Sequence, residues 1–346
     1  MAFYDGLFDA LGLRAWCDDG KTTGPGSMAD LLARARGQSS DAAVPLRDTP
    51  FPSLDSLHES CSAIPRTREF TNGVENAFLA IKDPLKVVLD PVTQPLSWAL
   101  NGALWAFQAT PWFVMIPLLA VVTWLASRSW SILALVVGSF LGLAFIDHYN
   151  YAIQTLSIVF VCTLISVALG VPIGIAMSRS NALQRVVIPV LDMLQTLPTF
   201  VYLIPLIFLF SVTESKLYGI AIILYAIVPV IRLTDLGIRL VDKDVIEAAD
   251  AFGMTARQKL FKVEMPLALP NIMAGVNQTI MMSLAMVVIA SLVSAPGLGV
   301  LVLRGIRNLE IGVGLIAGLG IVLLAVMLDR TSKAALARVD VSRSTR

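Results

Sequence analysis

The sequence has little charge and few of the side chains that build metal or catalytic sites. Of its 346 residues, 15% are charged and 56% are hydrophobic, and the mean hydropathy is +0.75. The two histidines, His58 and His148, lie in different regions, so no metal site is predicted. No cluster of catalytic groups stands out, so no catalytic residue is predicted. The basic residues are spread along the chain, which argues against nucleic acid as a partner.

A phosphate-binding loop is also missing. The pattern G-x-x-x-x-G-K-[ST], whose backbone amides cradle nucleotide phosphates, does not occur in the sequence. We therefore expect this chain to bind no cofactor itself. Any step driven by ATP would need a second protein.

Long apolar runs are the main feature that the sequence does have. Windows of about 20 apolar residues are long enough to cross a bilayer as helices. The predicted spans are 111–127, 129–146, 151–177, 187–210, 217–238, 271–294 and 311–328. Only Ser127, Arg128 and Ser129 separate the first two, so a single interfacial hairpin is the alternative there. The pattern predicts an all-α polytopic membrane protein with about seven transmembrane helices.

The distribution of basic residues predicts the orientation of these spans. One set of loops carries Arg128, Arg179, Arg185, the basic residues between Arg232 and Lys262, and Arg330, Lys333, Arg338, Arg343 and Arg346 of the tail. The opposite loops carry only His148, Lys216, Arg304 and Arg307. Since cytoplasmic loops are enriched in Lys and Arg, the first set is predicted to be cytoplasmic. Seven spans then place the N-terminus outside and the C-terminus inside.

The region before the spans divides into two parts. Residues 1–65 are rich in Pro, Gly, Ser and Asp, and we interpret them as a poorly ordered extracytoplasmic tail. Residues 66–110 show helical apolar spacing interrupted by prolines, which predicts two amphipathic helices in the outer interface. Their predicted headgroup anchors are Trp98, Trp105 and Trp112. Helices packed on the protein itself are the alternative.

The remaining organisation follows from the spans. Residues 111–146 are expected to form two peripheral transmembrane helices, 147–330 the core transmembrane domain, and 331–346 a cytoplasmic tail. With this topology Cys17 and Cys61 both lie in the oxidising compartment, where either free thiols or a disulfide fits. Cys162 falls in the middle of a span, where it serves as a small apolar residue.

A polar segment at 239–270 interrupts the last apolar spans. Asp242 or Asp244 is placed to cap a short helix, and Glu247 in its first turns suits the helix dipole. Alanines 248, 249 and 251 leave one side of this helix flat, so a partner can approach closely. Gly253 permits a left-handed helix end, and Thr255 can start a second short helix. An ordinary helix-turn-helix loop is the alternative interpretation.

A family resemblance rests on this segment. Glu247-Ala248-Ala249, then Gly253, then Val263-x-Met265-Pro266 looks like the cytoplasmic loop signature of permease subunits in bacterial ABC importers. The strings LPNIMAGVNQTIMMSLAMVVIASLVSAPGLGVLVLRGI (269–306) and LDMLQTLPTFVYLIP (191–205) are similar to the permeases for glycine betaine and proline betaine. The resemblance covers about 150–330.

This resemblance implies a type I ABC importer permease fold in the bacterial inner membrane. It also implies a homodimer of this chain, two cytoplasmic ABC ATPase subunits that hold ATP and Mg, and an extracytoplasmic solute-binding protein. Membrane lipid surrounds the spans. The short helix is expected to dock on the ATPase, and the coupling residues are then Asp244, Glu247, Ala248, Ala249, Asp250, Phe252, Gly253 and Pro266.

The solute path is predicted from polar and helix-breaking residues within apolar helices. These are Gln195, Thr196, Pro198, Phe200 and Tyr202 in the fourth span, and Asn277, Gln278 and Ser283 in the sixth. Hydrogen bonds between helices are the alternative use of such groups. The resemblance implies methylated ammonium solutes: glycine betaine, proline betaine, choline, carnitine or trimethylamine N-oxide. Because quaternary ammonium groups are recognised by aromatic faces, Phe200, Tyr202 and Tyr225 are expected to contribute weakly, and the delivering protein is expected to select the solute.

Other transport functions are the alternatives. An ABC permease for another small solute, such as an amino acid, shares most of these features, and a secondary carrier would work without an ATPase. Proton-coupled carriers use buried carboxylates. Asp192 is the residue such a model would choose, whereas Asp235 is expected to contact Arg232. Two G-x-x-x-G pairs, Gly170/Gly174 and Gly314/Gly318, are expected to pack helices within the subunit.

Overall fold

The computed structural model describes residues 4, 7, 8, 10–13, 17, 61 and 67–339. The chain forms two compact units, Met1–Pro84 and Leu85–Arg346. In the first, a disulfide joins Cys17 to Cys61, which decides between the two states that the sequence allowed. Most of the predicted poorly ordered tail lies outside the described residues.

Residues 67–209 form six helices connected by short turns. They are α1 (Thr67–Ala109), α2 (Trp112–Ser127), α3 (Trp130–Phe145), α4 (Tyr149–Arg179), α5 (Asn181–Thr196) and, after a 3₁₀ turn at Thr199–Tyr202, α6 (Leu203–Leu209). Where the sequence predicted two helices in 66–110, the structure has the single helix α1, which contains Pro84, Pro91 and Pro95.

The rest of the described chain is also helical. It comprises α7 (Ser215–Arg239), α8 (Lys243–Ala251), α9 (Ala256–Lys259), a π-helical turn (Leu260–Glu264), α10 (Met265–Ala290), a 3₁₀ turn (Ser291–Val293), α11 (Leu298–Arg307) and α12 (Ile311–Val339). Within the described residues, four helical runs are long and apolar enough to cross a membrane: Tyr149–Arg179, Ser215–Arg239, Ala256–Val293 and Ile311–Arg338. Two bent helix pairs and the shorter helix α3 supply the other candidate spans.

The predicted span 187–210 is not one straight helix. It is broken between α5 and α6, whose directions differ by 106°. Leu197 is extended, with a ψ of 135°, because the ring of Pro198 disfavours helical geometry in the residue before it. The helix therefore ends at Thr196 and restarts after the 3₁₀ turn.

Helices α4, α7 and α10 form the centre of the second unit. A Cβ atom on Gly174 of α4 would lie 2.6 Å from Cβ of Thr234 in α7 and 2.7 Å from the carbonyl oxygen of Ile231. A Cβ on Gly170 would lie 2.4 Å from Val230 Cγ1. The first G-x-x-x-G pair thus brings two helices of one subunit together, as predicted.

In the second G-x-x-x-G pair, Gly314 packs closely against another helix and Gly318 does not. Gly314 of α12 lies against Gly305 of α11, where a Cβ on Gly305 would be 2.6 Å from the Cα of Gly314. Gly318 has no atom within 4 Å of the position that a Cβ would occupy. Of this pair, Gly314 alone brings α12 close to α11.

The second half of α1 packs on the helical core through one face. Leu100 is fully buried and lies against Gly219 of α7. The three tryptophans on this part of the chain, Trp98, Trp105 and Trp112, are exposed. One face of this region therefore contacts the protein, as in the alternative interpretation, while its tryptophans remain free for the predicted membrane interface.

Candidate functional site

The polar segment folds as two short helices joined by a tight turn. Helix α8 begins after Asp242, whose carboxylate accepts a hydrogen bond from the backbone N–H of Asp244 at 3.0 Å. Asp242 is therefore the cap, one of the two residues that the sequence offered. The side chains of Asp244 and Glu247 are exposed near the N-terminal end of α8, where negative charge is favourable against the helix dipole.

The turn after α8 is built by Gly253. Its φ is +73°, in the left-handed region that favours glycine, and no atom lies within 4 Å of where a Cβ would be. Thr255 then starts α9 with a reciprocal capping box, in which its side chain and that of Gln258 each accept a backbone N–H. Both local predictions are confirmed. Phe252 projects beside the turn with 85% of its surface exposed.

The alanine face of α8 is narrower than the sequence suggested. Ala248 and Ala251 are exposed, but Ala249 is only 5% exposed because it faces the chain itself. The surface open to a partner therefore includes Ala248 and Ala251, together with the exposed Asp244, Glu247, Asp250 and Phe252.

An ion pair fastens α8 to α9. The ammonium group of Lys259 lies 2.7 Å and 2.9 Å from the two carboxylate oxygens of Asp250. From Ala256 the chain remains helical to Val293, through the π-helical turn and through Pro266 at the start of α10. Pro266 thus lies inside a continuous helical run that leads from the polar segment into α10.

Two further interactions hold the base of the segment, and the sequence did not predict them. Glu264, in the π-helical turn, is buried and forms an ion pair with Arg179 in the last turn of α4. Arg239, at the end of α7, donates to Asn181 Oδ1 at 2.8 Å and to the carbonyl oxygen of Met177 at 2.7 Å. Pairs this far apart in sequence leave no local pattern.

The predicted contact between Arg232 and Asp235 is wrong. Asp235 pairs with Arg239 at 2.9 Å and accepts a hydrogen bond from Gln184 at 2.7 Å. Arg232 forms an ion pair with Asp192 of α5 instead. The sequence did contain a signal for the correct pair, because Asp235 and Arg239 are four residues apart on one helix. This spacing favours contact as much as the three-residue spacing of Arg232 and Asp235 does.

The predicted path residues on α10 fall into two groups. Ser283 is buried and accepts a hydrogen bond from Thr163 of α4 at 3.3 Å. Asn277 donates to Asp329 of α12 at 3.1 Å and accepts from Ser332. These two side chains thus make the interhelical hydrogen bonds of the alternative interpretation.

Other path candidates remain at the surface of the subunit. Gln278 is exposed on α10, and Gln195 of α5 donates to the sulfur of Met282 at 3.8 Å. Thr196, Pro198 and Phe200 are exposed around the break between α5 and α6, while Tyr202 is buried. The residues that the structure brings together at one surface are Gln195 and Met282, from two different helices. Among the described residues, no group of three or more His, Cys, Asp or Glu is arranged to hold a metal ion.

Comparison with known proteins identifies the family. The model of a family described as "Binding-protein-dependent transport system inner membrane component" matches residues 166–340, about half of the chain. The chain belongs to this family. It is a multi-pass inner-membrane transport component and not an enzyme, and its described residues agree with the all-α fold that the sequence predicted.

Curated relatives extend the match to most of the chain. The "Glycine betaine/proline betaine transport system permease protein ProW" of Escherichia coli (strain K12) is 39% identical over 296 residues, which cover 84% of this chain and 81% of the relative. The "Glycine betaine transport system permease protein OpuAB" of Bacillus subtilis (strain 168) is 41% identical, over 70% of this chain and 86% of the relative. The "Trimethylamine N-oxide transport system permease protein TmoV" of Ruegeria pomeroyi is 38% identical, over 73% of this chain and 38% of the relative.

A solved structure shares the fold of this permease. A chain of the MetNI methionine ABC transporter in an inward-facing conformation matches with a TM-score of 0.50 and 21% identity, over 56% of this chain and 95% of that chain. At this identity the match concerns the fold alone. It agrees with the type I importer permease fold that the resemblance implied.

Proposed function

We propose that this permease is the transmembrane subunit of an ATP-driven importer for small methylated ammonium compounds. The single observation that carries the proposal is the exposed polar segment, a helix, a left-handed turn and a second helix that runs without a break into the spanning helix α10. Such an element lets a partner outside the bilayer move a membrane helix directly.

The ATPase is proposed to bind at the exposed surface of α8. Phe252 is a large apolar side chain that is 85% exposed at the end of a polar helix, and Ala248 and Ala251 beside it allow close approach. Aromatic side chains are enriched at protein interfaces, which supports Phe252 as a contact residue. ATP and Mg are held by this partner, and the coupling residues remain those proposed from the sequence.

A second copy of the chain is the proposed cover for the surface that carries Asp192 and Arg232. This ion pair lies on helices assigned to the membrane, yet the two side chains are 55% and 39% exposed in one subunit. Charged groups are costly against lipid and almost always face the interior of a helix bundle or a water-filled cavity. Two subunits that enclose this surface, together with Gln195 and Gln278, would form the solute path between them.

The proposed orientation places the polar segment and the C-terminus in the cytoplasm and the N-terminus outside. The Cys17–Cys61 disulfide supports it, because disulfides persist in oxidising compartments. An extracytoplasmic binding protein would deliver the solute to the outer ends of the helices. The solute class follows from the names of the relatives, which transport glycine betaine, proline betaine or trimethylamine N-oxide.

The ATPase contact is tested by co-purification of tagged permease with the ATPase of its own transport system. Phe252→Ser is expected to reduce the bound ATPase about tenfold or more, a loss typical of an interface anchor. Phe145→Ser, which alters a side chain that is 93% exposed at the end of α3, serves as the control. Equal recovery of ATPase with both variants would show that Phe252 does not contribute to the interface.

Solute uptake tests the remainder of the proposal. Cells that lack other betaine uptake systems and express the permease, its ATPase and its binding protein should accumulate glycine betaine. Uptake should stop when the ATPase is replaced by a variant that cannot hydrolyse ATP. If the cells accumulate an amino acid in place of glycine betaine, the permease belongs to an amino-acid importer and the proposed solute class is wrong.

A further inference from the structure

We propose that the ion pair between Arg179 and Glu264 is a positioning pair, through which movement of α8 reaches the first core helix, α4. The proposal rests on the proposed function, since it concerns how an ATPase bound to α8 would move the membrane helices. Neither residue belongs to the coupling set predicted from the sequence.

Glu264 is an unusual residue for its place in the fold. Its side chain is 4% exposed, and it lies at the end of the π-helical turn, directly before Met265. A buried carboxylate is costly unless it is paired, and a well-packed apolar side chain at such a site is often at least as stabilising. The stability of the fold therefore does not explain why a charged residue lies here. Pairing explains it better, because the carboxylate of Glu264 binds one particular helix end.

The helix end that Glu264 holds is the last turn of α4. Arg179 lies 85 residues earlier in the chain, so this contact joins two distant helices at the base of the polar segment. A cation in the last turn also suits the dipole of α4. Arg179 keeps 41% of its side chain exposed, which leaves room for the pair to adjust as the helices move.

Movement of α8 would reach Glu264 directly. In the described structure α8 packs mainly on α9 and on the π-helical turn. The Asp250–Lys259 ion pair fastens α8 to α9, and the helix is continuous from Ala256 through Glu264 into α10. A π-helical turn is a local widening of a helix that is frequently found at functional sites. A displacement of α8 therefore moves the Glu264 carboxylate together with α9.

From Arg179, the displacement would spread to two more helices. Arg239 of α7 binds the carbonyl oxygen of Met177 in α4 and the side chain of Asn181, the first residue of α5. Asp235 holds Arg239 in place at 2.9 Å. The ends of α4, α5 and α7 are thus joined by hydrogen bonds, and Glu264 is their ionic link to the base of α10.

The experiment measures solute uptake per ATP hydrolysed by the reconstituted complex of permease, ATPase and binding protein. Glu264→Gln keeps the size of the side chain but removes its charge. We expect this variant to assemble and hydrolyse ATP while uptake per ATP falls about tenfold, within the usual range of coupling between sites. Arg179→Gln should behave in the same way.

A charge-exchange variant tests whether the two single variants lower uptake per ATP by breaking one shared ion pair or by two independent effects. In Arg179→Glu/Glu264→Arg the charges are exchanged, and we expect uptake per ATP to recover to within about threefold of the original protein, as coupling between contacting residues requires. Lys333→Gln is the control, because it breaks the ion pair with Asp329 on α12 without touching the polar segment. It should leave the ratio unchanged.

Two results would overturn the proposal. In the first, uptake per ATP stays normal in Glu264→Gln, whether or not hydrolysis and uptake both fall. In the second, the variant no longer binds the ATPase, which would make Glu264 an assembly residue. Absence of ATP-dependent uptake by the unaltered complex would instead contradict the proposed function itself.

Discussion

At the scale of single residues, short-range signals were reliable and long-range partners were not. The left-handed Gly253 and the start of α9 at Thr255 each depend on a few neighbouring residues, so the sequence was sufficient to predict them. For the cap of α8 the sequence left Asp242 and Asp244 as alternatives, and the structure shows Asp242. The partners of Glu264 and Arg232 lie on other helices. They depend on which helices pack together, and apolar periodicity does not contain that information.

Close packing at glycine gives the first residue-scale prediction. A Cβ on Gly174 would lie 2.6 Å from Thr234, so Gly174→Ala must push α4 and α7 apart. Overpacking of this kind costs about 1–3 kcal/mol. The midpoint of thermal unfolding of the purified protein should fall clearly for Gly174→Ala. Gly318→Ala, where the new methyl group meets no atom within 4 Å, should leave the midpoint nearly unchanged.

The loop between α11 and α12 gives a prediction about pH. The amide of Asn308 donates a hydrogen bond to Glu310 at 3.0 Å, and this bond, with the charge of Arg304 at 3.1 Å, lowers the pKa of the Glu310 carboxyl. A carboxyl whose pKa is lower in the folded state stabilises the protein above its unfolded pKa. This contribution is lost as the pH falls through the folded pKa.

Glu310→Gln tests that sign. The variant should unfold at a lower temperature than the original protein at neutral pH, and the difference should shrink as the pH is lowered below the pKa of the folded state. A difference that stays constant over the acid range would mean that ionisation of Glu310 does not stabilise the fold.

At the scale of helices, the positions of the apolar runs were predictable and their breaks were less so. The sequence located each predicted span near a helix or a bent helix pair, but it treated 187–210 as one span. The proline at position 198 was a possible signal for the break. Prolines also lie inside α4 and α7, however, without ending those helices. Whether a proline ends a helix depends on what the surrounding helices can accommodate.

The turn between α8 and α9 gives the helix-scale prediction. A tryptophan at position 253 would have to adopt a left-handed backbone, which costs about 1–2 kcal/mol for an L-residue, and it would project into the space where the ATPase is proposed to bind. Gly253→Trp should therefore reach the membrane normally but lose most of its uptake per ATP hydrolysed.

Asparagine provides the comparison at this position, because it tolerates the left-handed conformation better than most residues. Gly253→Asn should keep most of the uptake that Gly253→Trp loses. Full uptake by a well-expressed Gly253→Trp variant would contradict a role for this turn in coupling.

At the scale of the whole molecule, composition and apolar runs were sufficient to predict an all-α membrane protein. The resemblance of the polar segment led to the family, which the match over 166–340 confirms. The residues of one subunit identify the solute less well than they identify the family. The polar groups of α10 divide between interhelical hydrogen bonds and the exposed surface. A path formed between two copies would have only half of its lining in one chain.

The position of the disulfide gives a prediction about topology. If the N-terminus lies outside, Cys17 and Cys61 should resist a thiol-reactive, membrane-impermeant reagent in intact cells until a mild reductant is added. A Cys61→Ser variant should expose Cys17 to the same reagent without reduction. Labelling of Cys17 in that variant only after the cells are opened would place the N-terminus inside and reverse the proposed orientation.

The central claim is that this permease moves its solute only when a separate ATPase acts on α8. The most direct test measures uptake of labelled glycine betaine by proteoliposomes that contain the permease, with or without the ATPase, in the presence of binding protein and ATP on the side of the polar segment. Accumulation is predicted only in vesicles that contain an active ATPase. Accumulation by the permease alone, at a rate equal to that of the full complex, would contradict the account.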